Sequence, residues 1–205
     1  MPKMIAYASM LLAITFSCFA CASKAGTSGA ATSAGSSQPP SGAQTAQTAT
    51  GELTAKVPAG WVTEQPSSAM RKAQYKLPKV EGDSDDAGVV LYFFGSGQGG
   101  TVQANIDRWV EQMEQADGSA SKDKAKTETL TINGLKVTTV DVSGTYTAQM
   151  SPGSDTRHNN GNYRLRAAVV ETPKGNYFAK LIGPEKTVGH WDQSFNEYVK
   201  SLEFK

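Results

Sequence analysis

A tract of 30 residues without a single Leu, Ile, Val or aromatic side chain divides this 205-residue chain into two unlike parts. The tract covers residues 22–51, consists mainly of Ala, Gly, Ser, Thr, Gln and Pro, and carries one charge, at Lys24. It buries too little apolar surface to offset the entropy of ordering the chain, so we predict a disordered tether. A flexible coil of this length spans about 30 Å on average.

The first 21 residues have the layout of an export signal. Lys3 supplies one positive charge, and residues 4–20 are then apolar or small, with no charged side chain. This segment of 17 residues is at the short end of what spans a membrane as a helix. A positive start, an apolar middle and small residues at the end are typical of a secretory signal, so we predict a signal peptide over 1–21.

Two ways of processing this signal are open. In the first, residues 18–21 resemble the lipobox of bacterial lipoproteins, differing at the first two positions, and Cys21 becomes the lipid-modified first residue of the mature chain. In the second, cleavage follows Ala22 and a soluble secreted protein begins at Ser23. The tether favours the first, because a tether serves an anchored domain. Acyl chains contribute roughly 0.8 kcal/mol of membrane affinity per buried CH₂ group.

The remaining residues, 52–205, have the composition of one globular domain. They hold all 19 acidic residues, 18 of the 20 basic residues and all three Trp. This near balance lacks the basic excess of a nucleic-acid-binding protein. Neither Cys lies in this segment, which excludes a disulfide framework or a cysteine-based zinc site within it. A domain of this size buries enough surface to be stable without such cross-links.

Hydrophobic periodicity predicts a sheet-rich domain with two helices. Strands are predicted over residues 53–57, 73–77, 89–94, 128–132, 135–142, 163–171 and 177–182. The continuous apolar run 89–94 predicts a strand buried on both faces, and Asn133-Gly134 is a strong signal for a two-residue hairpin turn. One helix is predicted from an N-cap at Thr101 to Asp117-Gly118, and a second over 188–202. The apolar face of the first helix comprises Val102, Ile106, Trp109, Val110 and Met113.

The element order β-β-β-α-β-β-β-β-α, dominated by hairpins, indicates an α+β domain with a largely antiparallel twisted sheet flanked by helices. A helix carrying Arg108-Trp109, a block of hairpins, and Phe178 leading through Gly183-Pro184 into a terminal helix resemble the PsbP-like fold over residues 52–205. That family includes the DcrB-type and LpqN-type bacterial envelope lipoproteins. The resemblance implies an α/β/α sandwich that mostly binds proteins and has no shared active site, and fold alone does not define function.

The segment 95–100 matches the pattern G-x-G-x-x-G between a predicted strand and a predicted helix. Exposed N–H groups at a helix N-terminus attract anions, so Gly97, Gly99, Gly100 and Thr101 are a candidate anion-binding turn. A dinucleotide fold needs alternating βαβ units, whereas hairpins follow here. The favoured interpretation is a glycine turn that lets the helix pack closely on the sheet.

Three acidic residues and the two histidines are weaker candidates. Asp83, Asp85 and Asp86 do not fit the EF-hand spacing and are predicted to form a solvated turn. His158 falls in a polar loop and His190 at the start of a helix, and neither belongs to a zinc motif. We predict surface or capping roles for both histidines.

Three arginines flank one junction between a loop and a strand. Arg164 and Arg166 share a strand face because their spacing is two, and Arg157 precedes them in the loop. They suit an acidic partner, but a solvated strand face is the favoured interpretation.

The sequence therefore predicts no catalytic, cofactor-binding or metal-binding residue. It favours a non-catalytic binding or structural protein of the bacterial cell envelope, attached to a membrane through lipid on Cys21 and bound to another envelope protein. Two alternatives stay open. One is an envelope hydrolase with His158 or His190 as its base, and the other is a small-anion sensor that uses the turn from Gly97 to Thr101.

Overall fold

The computed structural model describes residues 51–205, so the expectations for the export signal, Cys21 and almost all of the tether lie outside the described residues. The strands are β1 (Leu53–Thr54), β2 (Val62–Glu64), β3 (Arg71–Leu77), β4 (Ala87–Phe93), β5 (Met113–Glu114), β6 (Lys126–Ile132), β7 (Leu135–Tyr146), β8 (Asn160–Thr172), β9 (Gly175–Pro184) and β10 (Glu203–Phe204). The helices are α1 (Val102–Val110), α2 (Glu185–His190) and α3 (Asp192–Lys200), with a 3₁₀ turn at Ser121–Asp123.

Eight of these strands form one antiparallel sheet. Its order is β2-β3-β4-β9-β8-β7-β5, with β6 also paired to β7, and β1 pairs separately with β10. The hairpin between β6 and β7 turns at Asn133 and Gly134, whose φ angles of 49° and 79° are both positive, as such two-residue turns require. The α+β class and the largely antiparallel sheet are therefore confirmed.

The sheet separates two hydrophobic cores. On one side, Phe195 and Tyr198 of α3 pack against strand residues that include Leu181. On the other side, Ile106 and Trp109 of α1 pack on β7, β8 and β9. Helices thus contact both sides of the sheet, which gives the expected three layers.

Strand β4 differs from the expectation of burial on both faces. Ala87, Val89 and Leu91 are buried in the α3-side core, but Val90 and Tyr92 on the opposite face are only half-buried. The reason is that α1 packs mainly over β7 to β9, so that on the second face of β4 only Tyr92 packs, in part, against the core beneath α1.

Helix α1 is also shorter than its periodicity predicts. It ends at Val110 instead of near Asp117-Gly118, and the Gln112 N–H bonds to the Trp109 carbonyl in a tighter final turn. Met113 is buried as expected, but it lies in β5, which pairs with Tyr146 of β7. Strand pairing with β7 therefore replaces the next helical turn.

The two chain ends of the domain depart from the expected elements as well. The helix predicted over 188–202 is divided at Trp191, whose indole N–H donates to the Pro78 carbonyl at 2.9 Å. The first strand covers only Leu53–Thr54 instead of 53–57, because its partner β10, which was not predicted, offers only Glu203–Phe204 for pairing.

Candidate functional site

A groove of about 750 Å³ lies beside α1. Helix α1, β5, the loop that contains the 3₁₀ turn and the start of β6 enclose it. We call this concavity the α1 groove. Its lining includes Ile106, Asp107, Val110, Glu111, Met113, Glu114, Ser119, Ala120, Lys122 and Ala125.

Local structure explains why the groove is open on this side of α1. The Thr101 hydroxyl accepts from the Ala104 N–H at 3.2 Å and fixes the start of the helix. Beyond β5, the Gln115 side-chain amide donates to the Ser121 hydroxyl and to the Ser143 carbonyl, each at 2.9 Å. The Ser121 hydroxyl in turn bonds to the Met113 carbonyl, so the loop is held at a fixed distance from the helix.

The groove combines an apolar floor with an acidic rim. Ile106, Val110 and Met113 are buried at its base, where they also belong to the core between α1 and the sheet. The exposed rim carries three carboxylates, from Asp107, Glu111 and Glu114, against the single ammonium group of Lys122. An apolar pocket with a few polar groups at its edge is the usual form of a small-ligand site.

Hydrogen bonds also order the loop at the end of the groove. The Ser119 hydroxyl and backbone N–H donate to Asp117 at 2.6 and 2.9 Å. These bonds favour the charged form of the Asp117 carboxyl and therefore lower its pKa, and the bond from the Ser119 hydroxyl has the larger effect. The Asp117 carboxylate is also paired with the Lys124 ammonium group at 3.8 Å.

The predicted anion-binding turn lies outside the lining of this groove. The side-chain amide of Asn105 donates to the carbonyls of Gly99 and Thr101, both at 2.8 Å, and folds the turn back on α1. A Cβ atom at Gly99 would lie 2.7 Å from the Phe178 ring. The turn therefore allows close packing between α1 and the sheet, and its anion-binding role stays a prediction.

The structure places the two histidines beside aromatic rings. The His158 ring lies 5.1 Å from that of Tyr146, and the His190 ring 4.9 Å from that of Trp191. Within residues 51–205, neither imidazole makes a hydrogen bond to a serine or a carboxylate. A catalytic base in an envelope hydrolase stays an untested prediction for both.

The acidic turn makes more hydrogen bonds to the rest of the domain than a solvated turn would make. Asp83 accepts from the Thr187 N–H and hydroxyl at 2.8 and 2.6 Å, and Asp85 accepts from the Tyr163 hydroxyl at 2.8 Å. Asp86 accepts from a backbone N–H of the same turn. In the described part of the chain, no three His, Cys, Asp or Glu side chains are grouped as metal ligands.

Arg164 and Arg166 are the clearest correction to the sequence interpretation. Arg164 binds Asp141 through two hydrogen bonds of 2.8 and 2.7 Å, and Arg166 pairs with Asp192 at the start of α3. Bonding to Asp141 raises the pKa of Arg164, whereas burial lowers the pKa of Arg166. The spacing of two predicted the shared face, but it could not show the carboxylate partners, which are distant in sequence. The two arginines are therefore ion-paired and not merely solvated.

Comparisons with known proteins identify no family for this chain. No family model matches it, and no curated protein matches it. One solved structure that matches this chain is that of a Pseudomonas aeruginosa protein of unknown function, PA94. It shares 17% identity, with a TM-score of 0.42 over 75% of this chain and 97% of that protein.

The helices of the described region are short. None of those in residues 51–205 has the length and apolar character needed to cross a bilayer.

Proposed function

We propose that this chain is an exported, lipid-anchored, non-catalytic binding protein of the bacterial cell envelope, whose ligand occupies the α1 groove. The signal-like first 21 residues and Cys21 support export and anchoring. The polar tract over 22–51 supports a tether that holds the domain away from the membrane surface. Another envelope protein stays the proposed partner.

The observation that carries the binding role is the α1 groove itself. At about 750 Å³ it falls within the range of known small-molecule sites, which is roughly 300–1,000 Å³. Ile106, Val110 and Met113 line its base, where the apolar part of a ligand packs against them. A site of this form binds a ligand without breaking any covalent bond in it.

The rim defines the chemistry of the ligand. The carboxylates of Asp107, Glu111 and Glu114 outnumber the one cation, Lys122, and therefore attract positive charge. The proposed ligand is an apolar group that carries an amine or another cation. Each exposed charge pair contributes roughly 0.2–1 kcal/mol, so the three carboxylates together give about a tenfold preference for a cation.

A pair of probes with opposite charge tests this proposal. Phenylbutylamine and phenylbutyrate have the same apolar body, and their affinities for the full chain are measured by isothermal titration calorimetry. We expect the amine to bind about tenfold more tightly than the carboxylate. Equal affinity of the two probes would contradict the proposed ligand class.

Two variants locate the binding. Neutralising the rim with Asp107→Asn, Glu111→Gln and Glu114→Gln should remove the preference for the amine, while Ala120→Trp should block both probes because a large side chain then occupies the groove. The control is Glu197→Gln on α3, outside the groove lining, which should change neither affinity.

The anchor is tested separately from the groove. Mass spectrometry of the mature chain should show acyl groups on Cys21, and a Cys21→Ala variant should no longer fractionate with membranes. A mature chain that begins at Ser23 without acyl groups would instead favour the soluble secreted form.

A further inference from the structure

The side of the sheet that faces α1 is only partly covered. Helix α1 packs on β7, β8 and β9, and of the described residues on the same side of β3 and β4 only Tyr92 packs, in part, against the α1-side core. Val90 and Tyr92 of β4 are half-buried there, and Phe94 just after the strand is 38% exposed. This uncovered area is separate from the α1 groove, because none of its residues lines that groove.

Lys180 of β9 lies at the border of this area. In the sheet it pairs with Ala167, a residue of the α1-side core, so its side chain is on the same side. Its ammonium nitrogen lies 2.7 Å from the Gln112 side-chain oxygen, 3.5 Å from the Tyr146 hydroxyl and 5.2 Å from the centre of that ring. All three contacts are with neutral groups.

The electrostatics of Lys180 are unfavourable in the isolated chain. In residues 51–205, no carboxylate lies within 4.0 Å of its ammonium group. Burial, and secondarily the charge of Arg108, lower the pKa of Lys180 to about 8. A buried cation without a carboxylate is destabilising unless a partner supplies the opposite charge.

Two further cations on this side also lack carboxylate partners. Arg71 donates to the Gln74 side chain at 2.7 Å and lies 5.6 Å from the centre of the Tyr92 ring. Arg108 of α1 donates to the Asn105 side-chain oxygen. Gln74 in turn donates to Glu64 at the sheet edge at 2.9 Å, so this acid contacts the glutamine and not Arg71.

The opposite side of the same sheet shows how differently these charges are treated. There, Arg164 and Arg166 are half-buried as well, but each pairs with Asp141 and Asp192. The fold therefore pairs both arginines beneath α3 with carboxylates, whereas on the other side Lys76 pairs with Asp86 but Arg71, Arg108 and Lys180 have only neutral partners.

Aromatic side chains lie among these cations. Tyr92 stacks on Phe94 with ring centres 5.9 Å apart, and Tyr146 lies next to Lys180. Aromatic residues and arginine are the groups most enriched at the centres of protein interfaces. A sheet face of this kind suits an extended partner segment.

We infer that this cationic aromatic face docks an acidic segment of a partner protein, with one of its carboxylates placed against the Lys180 ammonium group. The face consists of Arg71, Tyr92, Phe94, Arg108, Tyr146 and Lys180. Charge complementarity identifies the occupant, since carboxylates are what the three unmatched cations lack. The inference does not depend on a ligand in the α1 groove.

A synthetic peptide that alternates glutamate with phenylalanine is the probe. Its binding to the full chain is measured by fluorescence anisotropy, beside an uncharged peptide with glutamine in place of glutamate, which the acidic rim of the α1 groove does not attract. We expect the acidic peptide to bind and the glutamine peptide to bind at least about tenfold more weakly. Raising the salt concentration should weaken the binding of the acidic peptide, because salt screens exposed charge pairs.

Three variants decide whether this face is the one used. Lys180→Met and Arg108→Gln should each weaken the binding of the acidic peptide about tenfold. Arg108 is exposed, and glutamine keeps a donor for the Asn105 side-chain oxygen. The matched control is Lys72→Met, whose side chain lies over Phe93 on the opposite side of β3. That control should bind as the unmodified chain does.

Three results would overturn the inference. They are equal binding of the two peptides, unchanged binding by both Lys180→Met and Arg108→Gln, and binding of anionic phospholipid vesicles in the absence of peptide binding. The last would show that a lipid surface occupies the face. Failure here leaves the amine preference of the α1 groove unaffected, so the two proposals are separately testable.

Discussion

The charge on Lys180 should control how the stability of the domain changes with pH. Burial, with a smaller contribution from the charge of Arg108, lowers the pKa of this ammonium group from 10.5 to about 8 in the folded chain. On unfolding, the group is solvated and regains its ordinary pKa. Between pH 8 and 10.5 the unfolded chain therefore binds more protons, and stability rises as pH increases through this window.

The magnitude follows from the two pKa values. One pKa unit corresponds to about 1.36 kcal/mol, so the fully charged lysine costs about 3 kcal/mol relative to the neutral form. Between pH 7 and 9 the lysine should contribute a rise of about 1.3 kcal/mol in the free energy of unfolding. This range is suitable because buried tyrosines such as Tyr146, whose pKa is raised by burial, lower the stability only above about pH 10.

Urea unfolding at pH 7, 8 and 9 measures the effect in the full chain and in a Lys180→Met variant. We expect the stability of the unmodified chain to increase by about 1.3 kcal/mol relative to the variant across this range. The control is Lys72→Met, which removes an exposed lysine from β3 and should give the same change of stability with pH as the unmodified chain. If the unmodified chain and Lys180→Met change in parallel with pH, the reasoning about burial of this lysine is refuted.

Two further substitutions test packing and ion pairing by urea unfolding. Gly99→Ala should lower the free energy of unfolding by about 2–3 kcal/mol, because the new Cβ meets the Phe178 ring and φ is positive. Gly97→Ala, which also has a positive φ but open space around it, should lower it by only about 1 kcal/mol. Equal losses would contradict the close contact. Asp141→Asn should cost about 2–3 kcal/mol, because it leaves the half-buried Arg164 without its two-bond partner, and a loss below about 0.5 kcal/mol would contradict that role.

Elements specified by local sequence were predicted well. The Asn133-Gly134 turn and the alternating strands beside it appear as expected, because turn geometry and side-chain alternation are local properties. Elements that depend on a distant partner were not. The strand at Met113 follows a helix and exists because Tyr146, far along the chain, pairs with it.

The candidate sites show the same division. The Gly99 turn and the shared face of Arg164 and Arg166 were visible from spacing alone. The α1 groove was not, because it depends on where α1 ends and on how the Gln115 side chain holds the following loop. The sequence also could not show that the charge of Lys180 lacks a carboxylate partner, since this depends on which side chains the folded sheet places near it.

The location of a bound amine tests the binding role most directly. In the full chain with ¹³C-labelled methionine methyl groups, Met113 reports the floor of the α1 groove, while the exposed Met70 and Met150 report other surfaces. Adding phenylbutylamine should shift the Met113 methyl signal in a saturable manner and leave the other two in place. A saturable shift at Met70 or Met150 with none at Met113, or no shift at any of the three, would contradict ligand binding in this groove.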